Sequence, residues 1–388
     1  MEIPACAGMT ETNTMKTPDD LLPEGLADAL PAEAAAQTRA MRAALDVLHS
    51  HGYDRVRPPL IEFETSLAGR MEGVSARRMF RFVDPASLRT LALRADITPQ
   101  IGRIAATSLA DRPRPLRLAY AGEVALIRAD QLDPLRQRLQ LGAELIGTDS
   151  VAAAAEVMTL AIEACQSAGA GALTLDLTLP DLVDTLAAGP FPLPAERLEA
   201  VRRELDMKDA GALRDAGGED YLPLLYAAGP FAEVVERLAA IDAGGALASR
   251  IIGLREIVAN VSELSAEVRV TLDPTERHGF EYQTWFGFTI YAEGARGAVG
   301  RGGTYRIGGS NEAATGFSLY LEPLLEAVGL ENGDEVRLLF LPLGHDRTVA
   351  ARMRAEGWRT VAALSEGDDA EALGCSHRLK KNGAVVNR

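Results

Sequence analysis

Two long strand-forming segments separated by a short loop most constrain how this chain can fold. They are LRLAYAGEVALIR at 116–128 and LRQRLQLGAELIG at 135–147, and they flank a loop around Asp130–Pro134. Segments joined by so short a connection pair antiparallel, because a parallel pair needs a crossover of a dozen or more residues. Further strand-forming segments lie at 173–179, 267–272, 283–292 and 297–301. We therefore predict an α+β protein built on a largely antiparallel sheet.

Helical segments surround these strands. The alanine-rich run from Pro31 to Gly52 has proline at its first position and glycine at its end, which is typical of a helix. Residues 182–263 have helical patterns throughout, so we interpret them as a helical insertion in the sheet domain. Other expected elements are extended structure at 53–67, strands at 79–83 and 90–94, and helices at 97–109, 150–169 and 316–328.

The chain is predicted to have three regions. Residues 1–20 lack hydrophobic periodicity and the basic and apolar segments of a signal peptide, so we expect a disordered tail. Residues 21–330 contain the sheet and the helical insertion. Residues 335–388 repeat strand, helix, strand, short helix and strand, which is typical of a small α/β unit. The short helix of that unit is expected at DAEALG, residues 369–374.

Composition and spacing exclude several classes of protein. No apolar run has the roughly 18–20 residues that a membrane span needs. The three cysteines lie far apart and the five histidines have no metal-ligand spacing, so we predict no disulfide framework, no metal and a cytoplasmic protein. A net charge of −15 argues against a protein whose main task is to bind nucleic acid. GRGGTYRIGG at 300–309 fits neither common phosphate-binding pattern, so we interpret it as a glycine-rich hairpin turn.

A series of motifs in the same order resembles the class II aminoacyl-tRNA synthetase core, and histidyl-tRNA synthetase in particular. The first helix with GYDRVRPPLIE resembles the dimer-forming motif 1, and the paired strands at 116–147 resemble motif 2. The other similar segments are LALRADITPQIGR (91–103), HGFEYQTWFGF (278–288), GRGGTYR (300–306) and TGFSLYLEP (315–323). The resemblance covers about residues 21–330 and implies a class II synthetase-like core. The C-terminal unit is about half as long as the family's anticodon-binding domain, so it is expected to be truncated.

Three departures from the synthetase motifs affect the residues that handle ATP and the amino-acid carboxylate. The motif 2 arginine position holds Leu126, and the arginine at the end of motif 3 is replaced by Pro323. Such arginines neutralise phosphate charge that develops during adenylate formation. The signature arginine that acts on the amino-acid carboxylate aligns with His278, and Arg277 substitutes for it only if the register slips. We therefore expect no catalytic residues, no cofactor and no tRNA charging.

The residues that the resemblance assigns to a histidine ligand match the family's residues more closely than the ATP-binding residues do. Two carboxylates and an amide oxygen suit an ammonium group, which has three donors and no acceptor. Glu144 and Gln140 are four residues apart, so both lie on one face of a strand. These side chains are either a retained ligand site or an inherited scaffold, and the sequence does not decide between the two. The candidate ligand-binding residues are Asp96, Thr98, Gln140, Glu144, Tyr282 and Tyr305.

A histidyl-tRNA synthetase-like core without aminoacylation residues resembles the regulatory subunits of ATP phosphoribosyltransferase. The resemblance implies a non-catalytic partner of a short-form catalytic subunit in the first step of histidine biosynthesis, with a contribution to feedback inhibition by histidine. It also implies synthetase-like homodimers within a hetero-oligomer, commonly an octamer. Two alternatives stay open: a divergent histidyl-tRNA synthetase, and a synthetase-like protein that acts on another small molecule.

We also predict where the homodimer forms. The helix at 31–52 and the extended region at 53–67 combine apolar side chains with a strand that is otherwise exposed at an edge, and such edges tend to be paired. The apolar residues in question are Leu45, Val47, Leu48, Ile61 and Phe63.

Overall fold

The computed structural model of this 388-residue chain describes two compact units, one that ends at Gly329 and one that follows it. The described residues are 21–68, 79–128, 134–242, 244–265, 267–277, 283–329, 337–380 and 383–387. The predicted disordered tail at 1–20 lies outside them. None of the helices in these ranges has both the length and the apolar character needed to cross a membrane.

The first unit is built on a large sheet. Its strands are β1 (Asp54–Arg55), β2 (Ile61–Phe63), β3 (Arg81–Val83), β4 (Thr90–Leu93), β5 (Leu116–Ala125), β6 (Gln137–Ile146), β7 (Leu173–Thr178), β8 (Gly229–Pro230), β9 (Arg269–Leu272), β10 (Gln283–Ala292), β11 (Ala298–Ile307) and β12 (Glu312–Tyr320). Nine of these described strands form one sheet in the order β1-β5-β6-β12-β11-β10-β7-β9-β8, and β2-β4-β3 form a small second sheet. The central five strands, from β5 to β10, pair antiparallel throughout. The prediction of a largely antiparallel α+β fold is therefore confirmed.

Helices pack on both faces of the large sheet and form the insertion. They are α1 (Pro31–Ser50), α2 (Glu64–Ala68), α3 (Thr98–Ala106), α4 (Val151–Ser167), α5 (Leu182–Ala187), α6 (Ala195–Asp206), α7 (Ala210–Asp215), α8 (Phe231–Ile241), α9 (Ala248–Leu264) and α10 (Leu321–Val328), with a 3-10 helix at Glu219–Tyr226. In α1 the buried residues Ala36, Ala40, Ala44 and Leu48 recur every four positions, as expected for a helix with one packed face. The hydroxyl of Ser150 accepts a hydrogen bond from the Ala153 N–H at 3.2 Å and caps α4.

The second unit is a small α/β layer. Strands β13 (Leu338–Leu341), β14 (Arg359–Ala362), β15 (His377–Leu379) and β16 (Val385–Asn387) form a sheet in the order β14-β13-β15-β16. Helix α11 (Arg347–Ala355) is capped by the Asp346 carboxylate and buries Ala350 and Met353 against this sheet. The short helix predicted at 369–374 is wrong: these residues form turns, and the Asp369 carboxylate accepts from the N–H groups of Glu371 and Ala372.

Three other local predictions are wrong in part. The predicted helix at 316–328 begins only at Leu321, because residues 312–320 hydrogen-bond to strands on both sides as β12. The supposed turn at 300–309 is mostly strand β11, and its glycines permit close contact: a Cβ on Gly302 would lie 2.6 Å from the Gly316 carbonyl oxygen. The insertion at 182–263 is not wholly helical, since β8 pairs with β9. In each case pairing between distant segments overrode the local pattern.

Candidate functional site

A pocket opens on one face of the large sheet where glycines replace side chains. Glu144 of β6 is paired with Gly316 of β12, Gly316 with Gly303 of β11, and Gly303 with Gly287 of β10. A Cβ on Gly316 would collide with the Glu144 carboxylate, so only glycine fits there. The pocket contains about 400 Å³ of space that no atom fills, part of it open to solvent. Its lining residues are Asp96, Thr98, Glu144, Gln283, Arg301, Gly302, Gly303, Tyr305, Gly316, Phe317, Ser318 and Tyr320.

Glu144 is the most perturbed carboxyl group in this pocket. Its side chain is buried, and its two oxygens accept hydrogen bonds from different tyrosines: Oε2 from the Tyr305 hydroxyl at 2.7 Å and Oε1 from the Tyr120 hydroxyl at 3.2 Å. Burial is the main influence and raises the pKa of Glu144 to about 8, and the nearby Asp96 raises it further, against hydrogen bonds that lower it. A cation placed beside this carboxylate would favour its ionised form.

Asp96 stands beside Glu144 and is held by its neighbours. Its Oδ1 accepts from the Gln140 side-chain amide at 2.8 Å and from the Thr98 N–H at 3.0 Å. The Gln140 oxygen in turn accepts from the Ile97 N–H at 2.9 Å. Gln140 therefore orients the segment that carries Asp96, and both Asp96 and Glu144 present carboxylates to the pocket. The spacing argument that put Gln140 and Glu144 on one strand face agrees with this arrangement.

The segment that carries Asp96 is anchored to the hairpin by a buried arginine. The Arg94 guanidinium donates to the carbonyl oxygen of Glu123 at 2.7 Å and to that of Pro58 at 3.0 Å. Burial lowers the pKa of Arg94 from its ordinary value, but the group stays charged because an arginine loses its proton only far above neutral pH. These bonds fix where α3 begins, and thereby place Thr98 at the edge of the pocket.

Two residues of the hydrogen-bonded cluster around Glu144, Tyr120 and Ser318, were not predicted from the sequence. The Tyr120 hydroxyl lies 2.8 Å from Ser318 Oγ and 3.2 Å from Thr98 Oγ1, and it also donates to Glu144. Ser318 Oγ accepts from the Gln140 amide at 2.7 Å. Tyr120 lies two residues before Gly122, on the strand face that points toward Glu144, but that face is known only once the pairing of β5 with β6 is known.

The two tyrosines among the predicted ligand-binding residues differ in what the structure shows of them. Tyr305 contacts Glu144, whereas Tyr282 lies outside the described residues. Gln283, which follows it, lines the pocket and donates to the Gly302 carbonyl oxygen at 2.8 Å. Five of the six candidate residues, all except Tyr282, thus belong to one hydrogen-bonded cluster.

The positions that would hold nucleotide phosphates carry no cation. Leu126 follows β5, and its N–H donates to the Arg136 carbonyl oxygen at 2.7 Å, while Pro323 is buried in the first turn of α10. Next to Pro323, Glu322 is largely buried and accepts from the Leu139 N–H at 2.8 Å, and burial raises its pKa to about 7. A leucine, a proline and a buried glutamate cannot neutralise charge on a triphosphate.

Arg277 does not reach the pocket in place of the lost signature arginine. Its guanidinium donates to Glu199 of α6 at 2.7 Å, and its N–H donates to Asp206 at 3.1 Å. It lines a second cavity, between the helical insertion and the sheet, which adjoins the pocket at Gln283. Three more ion pairs line that cavity: Arg250 with Asp181, Arg306 with Asp149, and Arg202 with Asp184.

Comparisons with known proteins define the class first. Residues 25–324 match the family described as histidyl-tRNA synthetase. A solved structure described as an ATP phosphoribosyltransferase regulatory subunit/histidyl-tRNA synthetase from Bacillus halodurans C has a TM-score of 0.77 and 23% identity, over 94% of this chain and 97% of that one. A HisG:HisZ complex of ATP phosphoribosyl transferase from Thermotoga maritima has a TM-score of 0.58 and 18% identity, over 74% of this chain and 97% of that one. The fold is that of a histidyl-tRNA synthetase-like protein, as the motifs predicted.

A curated relative then narrows the class. The ATP phosphoribosyltransferase regulatory subunit of Rhodospirillum centenum is 42% identical over 364 residues, which cover 92% of this chain and 94% of the relative. The chain belongs to the family of ATP phosphoribosyltransferase regulatory subunits. It is therefore a regulatory component and not a catalytic one, as the loss of the two phosphate-binding arginines had indicated.

Proposed function

We propose that this chain assembles with a short-form catalytic subunit of ATP phosphoribosyltransferase, is required for its activity, and binds histidine as the feedback signal. The assembly would perform the first step of histidine biosynthesis in the cytoplasm. Support for the partner comes from the HisG:HisZ complex, whose chain has the same fold, and from family membership. The free thiols of Cys165 and Cys375 fit a reducing compartment.

The observation that carries the ligand proposal is the buried carboxyl group of Glu144. A buried carboxylate is costly unless a cation or several donors stabilise it, and the two tyrosine hydroxyls leave its pKa near 8. The ammonium group of an amino acid supplies the missing positive charge. With Asp96 beside Glu144, the pocket offers two carboxylates to the three donors of that ammonium.

Feedback without catalysis is consistent with the rest of the site. Leu126 and Pro323 remove the groups that would bind ATP for adenylate formation, so histidine bound here has no activated phosphate to react with. The bound amino acid then acts only by favouring one state of the complex over another. We accordingly propose that the chain neither forms histidyl adenylate nor charges tRNA.

A reconstitution experiment tests this function. A short-form catalytic subunit from the same organism is purified alone and with this chain, and phosphoribosyl-ATP formation is measured over a range of histidine concentrations. We expect activity only in the complex, and we expect Glu144→Gln to keep the activation while raising the inhibitory histidine concentration at least tenfold, the lower end of what a charge-assisted hydrogen bond contributes. Glu163→Gln, which alters only a surface pair with His51, is the matched control.

Two results would contradict the proposal. Full activity of the catalytic subunit on its own would remove the activating role. If a folded Glu144→Gln complex is inhibited by histidine as strongly as wild type, the feedback site lies elsewhere, although the activating role of this chain stands.

We also propose that the chain forms homodimers within a hetero-oligomer, with four copies of each subunit as the expected assembly. Exposed apolar side chains on and beside the small β2-β4-β3 sheet support this: Leu60 and Ile61 are 42% exposed and Val83 is 60% exposed. Leu48, one of the residues proposed for the interface, is instead fully buried in its own chain. Analytical ultracentrifugation of the isolated chain tests the dimer, and a monomer at micromolar concentration would refute it.

A further inference from the structure

The pocket needs a second charge if its ligand is an amino acid. An ammonium group can bind at Glu144 and Asp96, but the carboxylate of the same molecule then requires a cation. The signature position that would supply one falls on His278, outside the described residues, and Arg277 is committed to Glu199 in another cavity.

Arg301 is the only basic residue among the described residues that line the pocket. It lies on β11, paired with Thr289 on one side and with Ser318 on the other. Because strand side chains alternate, Arg301 shares its sheet face with Gly303 and Tyr305, which are also pocket residues. The following arginine on this strand, Arg306, is on the opposite face and pairs with Asp149.

The register of the sheet sets the distance between the two charges. Glu144 is aligned with Gly303 across two strand spacings, and Arg301 is two residues further along β11. With strands about 4.8 Å apart and about 6.8 Å per two residues, the Cα atoms of Glu144 and Arg301 are separated by about 12 Å. Both side chains line the pocket, and their lengths allow the two charged groups to contact opposite ends of one small ligand.

We propose that Arg301 binds the carboxylate of the amino acid in this pocket, which makes it the residue that selects a zwitterion over a simple amine. This inference rests on the proposed binding of an amino acid at Glu144. Ammonium at the Glu144 end and carboxylate at the Arg301 end orient the ligand, and the glycine floor of Gly303 and Gly316 leaves room for it. A guanidinium also suits a carboxylate better than an ammonium does, because it binds both oxygens.

The test compares two ligands that differ only in the carboxylate. Binding of L-histidine and of histamine is measured by calorimetry on the full chain, alone and in complex with the catalytic subunit. Wild type should bind histidine about 10- to 150-fold more tightly than histamine, the range expected for one charge-assisted bond. Arg301→Gln should lose that preference, with histamine affinity unchanged, and Arg301→Lys should keep part of it. Arg306→Gln is the matched control and should keep all of it.

The outcomes separate this inference from the function on which it rests. If Arg301→Gln keeps the preference for histidine, or weakens both ligands equally, Arg301 is not the carboxylate site, whereas histidine binding at Glu144 stands. If wild type binds neither ligand in either form, the ligand proposal fails and this inference fails with it. Arg301→Lys provides the same comparison if Arg301→Gln does not fold.

Discussion

Histidine affinity should depend on pH because the carboxyl group of Glu144 must lose a proton to receive an ammonium. Burial raises the pKa of Glu144 to about 8 in the empty pocket, so most molecules hold this group neutral at pH 7. An ammonium placed beside it lowers that pKa again. Binding therefore releases a proton, and lowering the pH makes the ligand compete with protons for the site.

The magnitude follows from the shifted pKa. With this pKa, Glu144 is about half ionised at pH 8 and about 3% ionised at pH 6.5, so this group alone should make histidine bind about 15-fold more weakly at pH 6.5 than at pH 8. At pH 7 the uptake of one histidine should release about 0.9 proton. The ammonium of the ligand stays charged across this range, but its imidazole titrates near pH 6.5, so the part that belongs to Glu144 is the difference between wild type and Glu144→Gln.

Isothermal titration calorimetry measures both quantities. Titrations at pH 6.5, 7 and 8 give the affinities, and titrations in buffers of different ionisation enthalpy give the number of protons released. Glu144→Gln should bind weakly and should keep only the pH dependence that the imidazole of the ligand contributes. Glu322→Gln changes another buried carboxyl group with a raised pKa, but outside the pocket, and should keep the wild-type profile.

Two results would refute this reasoning. A wild-type affinity that is constant from pH 6.5 to 8, with no proton released, would mean that Glu144 is already ionised in the empty pocket. Loss of the pH dependence in Glu322→Gln would mean that the released proton comes from Glu322 and not from Glu144.

One substitution should change the stability of the protein, a second should change its histidine affinity, and a third pair should fail to restore catalysis. Because the pKa of Glu144 is raised on folding, its contribution to stability is present below pH 4.5 and is lost as the pH rises to about 8. Without ligand, Glu144→Gln should therefore have a higher melting temperature than wild type at pH 8, but not at pH 5. Tyr120→Phe removes one hydrogen bond to Glu144 and should weaken histidine binding about 2- to 12-fold, as measured by calorimetry. The midpoint of the pH profile should move upward, and an unchanged profile would refute the role of Tyr120 in stabilising the Glu144 carboxylate. Restoring the lost arginines as Leu126→Arg and Pro323→Arg should produce no histidine-dependent ATP–pyrophosphate exchange and no charged tRNA. The reason is that Pro323 is buried and the neighbouring Glu322 disfavours phosphate. Measurable exchange would show that these two arginines alone account for the loss of catalysis.

The sequence determined the parts of this protein that local pattern and motif order encode. The short loop between the two strand-forming segments of 116–147 predicted an antiparallel pair, and even spacing put Gln140 and Glu144 on one face of β6. The same residues, with the segment around Asp96, carry the motif resemblance that pointed to the family. Substitution of both phosphate-binding arginines, at 126 and 323, indicated a regulatory protein because a single lost cation is enough to disable this chemistry.

Tertiary structure alone decided which neighbours complete the pocket. Strand β12 lies between β6 and β11 although more than 160 residues separate it from β6 along the chain, and that placement brings Ser318 and Arg301 to the same face as Glu144. It also turned residues 316–320 from a predicted helix into a strand. The proton affinity of Glu144 is a tertiary property too, because it depends on burial and on the hydroxyls of Tyr120 and Tyr305. Local periodicity reports one face of one element, whereas register and desolvation arise only when distant elements pack together.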